Sequence, residues 1–131
     1  MLLLITALCL LGAACGEPRA RTSPGSPSAR GSAEVEAAID ELLGEVASAY
    51  RAGRTKKAAE LAAEAYLENY EAIEDEVIER APAVNADLEP LLGAGLRRRI
   101  RQGAPPREIE AMVERARRLL DRALAALEEA P

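Results

Sequence analysis

The chain has 131 residues, enough for one domain of ordinary size, and its 17 Lys and Arg against 22 Asp and Glu give a formal net charge of −5. It contains no His, Phe or Trp, which excludes Ser-His-Asp and Cys-His nucleophilic pairs and every imidazole metal site. The acidic balance and the few aromatic residues argue against a nucleic-acid binder. Abundant Ala, Leu, Glu and Arg favour an all-helical fold.

The first fifteen residues, MLLLITALCLLGAAC, carry no charged side chain. Residues 2–14 match the apolar core of a signal peptide in length and are too short to span a bilayer comfortably. The sequence Leu11-Gly12-Ala13-Ala14-Cys15 resembles the processing box of bacterial lipoproteins, which implies that Cys15 becomes the lipidated first residue. We therefore expect a membrane-anchored, extracytoplasmic protein, with an ordinary cleaved signal peptide over residues 1–15 as the alternative.

Residues 16–32 read GEPRARTSPGSPSARGS, with three Pro, three Gly and four Ser. A segment with so few apolar side chains cannot bury a core. The composition predicts a disordered tether that holds a folded domain away from the membrane surface.

Residues 33–130 form the predicted domain, which breaker residues divide into four helical segments. Apolar residues recur every three or four positions in these segments, as expected for helices that bury one face. The segments cover about residues 33–52, 55–79, 82–103 and 106–129. Short connections between four helices predict an up-down four-helix bundle.

Local signals set the expected helix ends. Ser32 is a candidate cap for the first segment, and Gly53 ends it. Gly93 and Gly95 lie inside the third segment and predict a kink there. Pro106 fits the first turn of the fourth segment, where the missing N–H costs little.

The acidic residues are concentrated in the second segment. Residues 60–79 contain eight acids and no Lys or Arg, whereas residues 97–101 contain four Arg and no acid. Like charges four residues apart on a helix repel. Two interpretations remain open: a solvated face partly neutralised by the Arg run, or a site for a hard cation built from carboxylates.

Glu71 and Glu74 stand three residues apart, a spacing that can bring two carboxylates to one metal ion. Glu74 lies at the border of the apolar face beside Tyr70, where the bundle can shield it. Glu71, Glu74, Tyr70 and Glu68 are therefore the candidate metal ligands. The second helix that such a site requires can contribute from several positions, which are Asp40, Glu41, Glu45, Asp87 and Glu89.

The stretch from Tyr50 to Leu127 resembles the extracytoplasmic helical domain of bacterial oxidase-coupled high-affinity iron permeases. The residues that carry the resemblance are AYRAG at 49–53, KAAELA at 57–62, AYLENYEAIE at 65–74 and RRRIRQGA at 97–104. The multi-span permease domain with its membrane Arg-Glu-x-x-Glu motifs is absent. The resemblance implies a stand-alone accessory domain that captures iron or delivers it to a permease or another envelope protein.

Two functions thus remain open. The first is iron handling with carboxylates and a Tyr hydroxyl as oxygen ligands. The second is a helical docking module that uses the acidic face of residues 60–79 to bind a basic partner. We expect no enzyme, because a small Ala-packed bundle offers no cleft for acid-base work.

Overall fold

The computed structural model describes residues 31–129, and every regular element in that range is helical. The predicted signal peptide, Cys15 and nearly all of the predicted tether lie outside the described residues. Six α-helices are present: α1 (Ser32–Arg51), α2 (Thr55–Glu64), α3 (Glu74–Arg80), α4 (Pro82–Pro90), α5 (Leu96–Arg101) and α6 (Pro106–Glu128). None of these helices is long and apolar enough to cross a membrane.

Helices α1 and α6 are the longest elements and run antiparallel. Arg51 at the end of α1 pairs with Glu110 near the start of α6, at 2.5 Å between Nη2 and Oε1. Farther along, Arg117 donates from Nη2 to the backbone oxygen of Asp40 at 3.0 Å. The predicted apolar stripe of α1 is buried, with Val35 and Ile39 fully inaccessible to solvent.

The helix boundaries expected at Gly53, Pro82, Gly103 and Pro106 agree with the structure, whereas the cap expected at Ser32 does not. Gly53 and Gly103 adopt positive φ angles of 76° and 71°, a conformation that Gly reaches without steric cost. Pro82 and Pro106 begin α4 and α6. The prediction that Ser32 caps α1 is wrong: Ser32 is the first helical residue, and Gly31 occupies the cap without a side-chain hydrogen bond.

The second predicted segment is not one continuous α-helix. A π-helical turn (Ala65–Asn69) and a 3₁₀ turn (Tyr70–Ala72) separate α2 from α3. The side chain of Asn69 donates to the backbone oxygen of Glu64 at 3.1 Å. This bond gives the Glu64 carbonyl a side-chain partner within the irregular stretch, which is how Asn competes with regular helix bonding.

The third predicted segment contains the irregularity that Gly93 and Gly95 indicate. It takes the form of a π-helical turn (Leu91–Gly95) between α4 and α5. Pro90 lies immediately before it and has no N–H with which to continue the α-helical bonding. The backbone therefore changes its hydrogen-bond pattern here without ending the helix.

One core joins all six helices, and 27 buried hydrophobic residues form it. The two π-helical turns contact each other. Ala supplies many of the buried positions, including Ala58 and Ala116, which allows close approach of the helices. The two irregular turns therefore face each other across a tightly packed interior.

Candidate functional site

Two Tyr rings dominate the irregular stretch between α2 and α3. The rings of Tyr66 and Tyr70 stack with centroids 6.1 Å apart and an angle of 29° between their planes. Tyr70 is fully buried, whereas Tyr66 is partly accessible. Tyr66 belongs to the π-helical turn and Tyr70 begins the 3₁₀ turn that follows it.

Glu74 begins α3 directly after this stretch, and its side chain is partly buried. The hydroxyl of Tyr66 donates to Oε2 of Glu74 across a long contact of 3.5 Å. The partial burial of Glu74 agrees with the predicted border position, but its hydrogen-bond partner is Tyr66, whereas the sequence placed it beside Tyr70.

The facing side of the site comes from the third segment, where Asn85, Glu89 and Gly93 follow one another at intervals of four. The hydroxyl of Tyr70 donates to Oδ1 of Asn85 at 2.5 Å. A Cβ at Gly93 would lie 3.3 Å from both Cζ of Tyr66 and Oε1 of Glu89. The absence of a side chain at Gly93 thus lets the Tyr66 ring and the Glu89 carboxylate come close together.

The electrostatics of this group follow from burial and from like charges. Burial raises the pKa of Glu74 above its ordinary value, and the charges of Glu89 and Glu71 raise it further. Burial also raises the pKa of Tyr66, and the charges of Glu74, Glu89 and Glu71 raise it further. The pKa of Tyr70 rises most of all, chiefly through burial. We name Tyr66, Tyr70, Glu74, Asn85 and Glu89 the Tyr-Glu cluster.

The Tyr-Glu cluster unites only part of the predicted ligand set. Glu74 and Tyr70 belong to it, whereas Glu68 and Glu71 are exposed. Glu71 acts on the cluster through its charge. Across residues 31–129, no three His, Cys, Asp or Glu side chains are grouped so that they could hold a metal ion. Any cation bound here would therefore need ligands beyond carboxylates, such as the Tyr66 hydroxyl.

The candidate ligands from a second helix differ in the residues that they contact. Asp87 pairs with Arg115 at 3.8 Å, and Asp40 faces Arg117. Glu89 is the candidate whose charge acts on both Glu74 and Tyr66. The sequence did not decide which of these positions contributes to the site. It did contain a signal for Glu89, because Asn85, Glu89 and Gly93 share one helix face.

Two residues of the Arg run at 97–101 make contacts outside the acidic segment of residues 60–79. Arg97 donates to the backbone oxygen of Gly93 on its own helix. Arg99 pairs with Glu108 at 2.5 Å and donates to Gln102 at 2.8 Å. Arg97 thus bonds within the third segment, and Arg99 joins α5 to the start of α6.

Comparisons of the chain with protein-family models, curated proteins and solved structures gave no significant match.

Proposed function

We propose that the chain is a membrane-tethered, extracytoplasmic helical domain that captures iron or passes it to a permease or another envelope protein. The lipid on Cys15 anchors it, and the residues between Cys15 and the start of α1 form the tether. Glu74, Glu89 and the Tyr66 hydroxyl are the proposed primary oxygen ligands. Of the other predicted ligands, Glu71 and Glu68 attract the cation at the surface, and Tyr70 positions Tyr66.

The observation that carries this proposal is that Glu74 and Glu89, on two different helical segments, both lie beside Tyr66. Burial and the charge of Glu89 both raise the pKa of Glu74, so ionising the Glu74 carboxylate carries a free-energy cost. A bound cation would remove that cost. Oxygen ligands suit a hard ion such as ferric iron, and the predicted mature chain has no His to compete for it.

The proposal includes the up-down four-helix arrangement. In it, α2 and α3 act as one irregular helix, and α4 and α5 act as another. Support comes from the antiparallel contacts of α1 with α6 and from the packing of α2 on α1 and α5. This arrangement puts the proposed ligands on the two irregular helices and leaves the two regular helices to carry the core.

Calorimetric titration of the full chain in mild detergent tests the proposal. Ferric iron held by a weak chelator is the probe, and calcium is the comparison ion. We expect saturable iron binding that weakens about tenfold or more in Glu74→Gln, because one charged ligand is removed. Glu89→Gln is expected to act alike.

Glu79→Gln is the matched control, because Glu79 is an exposed acid on the same helix as Glu74 and has no part in the cluster. Equal weakening in Glu79→Gln would point to general attraction by the acidic segment. Absence of heat, together with an unchanged melting temperature in excess iron, would contradict the proposed site.

A docking function for the acidic face of residues 60–79 is the second proposal. One observation favours it: Leu67 and Ile78, the large hydrophobic residues that stay exposed in the described chain, both lie on this segment. Apolar contacts ringed by acids suit an amphipathic basic partner. Leu67→Ser/Ile78→Ser would weaken such a complex without affecting iron binding, which separates the two proposals.

A further inference from the structure

Two turns pack against each other at one end of the molecule. A buried hydrogen bond and two ion pairs hold them together. The hydroxyl of Tyr50 donates to the backbone oxygen of Ala104 at 2.5 Å, which joins the α1–α2 turn to the α5–α6 turn. The pairs Arg51–Glu110 and Arg99–Glu108 clamp the same region. We name this end, made of residues 51–57 and 98–110, the basic pole.

The basic pole holds eight Lys and Arg against two acids, in a chain whose net charge is −5. Both acids are used in the clamping pairs. Five cations have no ion pair with any described residue, and they are Arg54, Lys57, Arg98, Arg101 and Arg107. All five side chains belong to exposed or partly exposed residues near the two turns.

The opposite end has the reverse character. Burial raises the pKa of Glu36, and the charges of Asp121 and Glu128 raise it further, so the start of α1 lies near the end of α6. Arg80 donates to the backbone oxygen of Glu129 at 3.2 Å, which brings the end of α3 to the same place. Residues 32–41, 74–87 and 121–129 together contain twelve acids and two Arg. The positive charge is thus concentrated at one end.

We propose that the basic pole binds the surface of an anionic phospholipid bilayer. Its cations are spread over two neighbouring turns and do not converge on a closed cavity, which suits a flat, laterally extended array of phosphates. The depression beside Gly53, Arg54 and Lys57 is wide open. The large exposed hydrophobic residues lie elsewhere, so the pole adsorbs electrostatically and does not insert.

The length of chain that precedes the structure is compatible with this contact. Thirty residues precede Gly31, and they enter at the acidic end, where α1 begins. Fifteen extended residues between Cys15 and Gly31 reach at most about 50 Å, whereas the 20-residue α1 is about 30 Å long. A chain anchored at Cys15 can therefore turn its basic pole toward the same membrane. This inference rests on the membrane anchor of the proposed function and does not require iron.

Co-sedimentation of the full chain with vesicles tests the inference without any metal. One vesicle contains equal parts of phosphatidylglycerol and phosphatidylcholine, and the other contains phosphatidylcholine alone. Because residues 2–14 can bind both vesicles, the readout is the ratio of the two affinities. We expect this ratio to fall about tenfold or more in Arg54→Glu/Lys57→Glu and to fall with added salt.

Arg118→Glu/Arg122→Glu is the matched control. It changes the net charge equally, and both residues are exposed on α6 away from the basic pole. Helicity and melting temperature verify that both variants fold. A new Glu at the start of α2 is also favourable to the helix dipole.

A preserved ratio in the control and a reduced ratio in the pole variant would support the inference. Equal loss in both variants, or no preference of the parent chain for anionic vesicles, would overturn it. Competition by millimolar inorganic phosphate would overturn it in favour of a small-anion pocket. Self-association at low salt that the pole variant abolishes would overturn it in favour of head-to-tail pairing between copies.

Discussion

The interface between α1 and α6 differs in construction from the interface between the second and third helical segments. The first joins two regular α-helices through buried aliphatic side chains such as Ile39 and Leu120, with charged pairs at its margin. The second contains two π-helical turns, two stacked Tyr rings and two carboxylates that repel each other. One region of the molecule thus supplies stability, and the other contains polar groups that aliphatic packing would exclude.

The two interfaces therefore have different roles in the molecule. Regular helices bury their apolar stripes at little cost in free energy. The stability of the α1–α6 interface therefore offsets the free-energy cost of the polar groups in the other interface. Tyr66 and Gly93 belong to the two π-helical turns, and the Tyr66 ring lies close against Gly93. Irregular backbone of this kind is frequent at functional sites.

The largest expected effect breaks the regular interface. Ile39→Ala removes a fully buried side chain from α1 and should lower the free energy of unfolding by about 2–4 kcal/mol. Urea unfolding followed by circular dichroism measures the change. Ile78→Ala removes an exposed aliphatic side chain and serves as the control. A similar loss in both variants would contradict the assignment of the core.

A second prediction compares Gly residues in the two regions. A Cβ at Gly95 would lie 2.9 Å from the backbone oxygen of Pro90, so Gly95→Ala should cost about 1–3 kcal/mol. A Cβ at Gly44 would meet only the flexible end of Arg117 at 3.2 Å. Gly44→Ala should therefore stabilise α1 by about 0.5 kcal/mol. Thermal unfolding measures both, and stabilisation by both would refute the close approach at Gly95.

A third prediction compares two buried Tyr hydroxyls. Tyr50→Phe removes the bond to Ala104, and Tyr70→Phe removes the bond to Asn85. Each should cost about 1–2 kcal/mol, because each leaves an acceptor without its donor. Tyr50→Phe should in addition speed amide hydrogen exchange in the turn around Gly103, whereas Tyr70→Phe should leave that turn unchanged.

The smallest effect concerns the pH dependence of stability. The pKa of Glu74 is higher in the folded chain than its ordinary value of 4.5, so its carboxylate destabilises the fold once the pH rises above that range. Glu74→Gln removes this cost and should raise stability at neutral pH by a few tenths of a kcal/mol. The gain should shrink as the pH falls toward 4, where both states are protonated. Melting temperatures from pH 4 to pH 7.5 test this, and a gain that grows at low pH would contradict the sign.

The sequence predicted the regular parts of the fold better than the irregular ones. The stripe from Val35 to Tyr50, the turns at Gly53 and Gly103 and the helix starts at Pro82 and Pro106 agree with the structure. The break after Glu64 was missed. The bond from the Asn69 side chain to the Glu64 backbone oxygen accompanies this break and has no signature in hydrophobic periodicity.

The sequence predicted only the part of the candidate site that lies on a single helical segment. Glu74 and Tyr70 could be placed on a shared border because helical spacing fixes which side chains are neighbours. The identity of the opposing residues could not be decided, because five acids on two other segments satisfied the same requirement. The contact at Gly93 selected Glu89 from among them.

The sequence by itself determined that the described chain is helical, where most of its helices begin and end, and which faces are apolar. These properties depend on local propensity and spacing, which act within a few residues. The tertiary structure decided that Glu74 and Glu89 both lie beside Tyr66 and that Arg54 and Arg101 share one end of the molecule. Both outcomes depend on how helices pack against each other, and that packing is set by side-chain shape across separate segments.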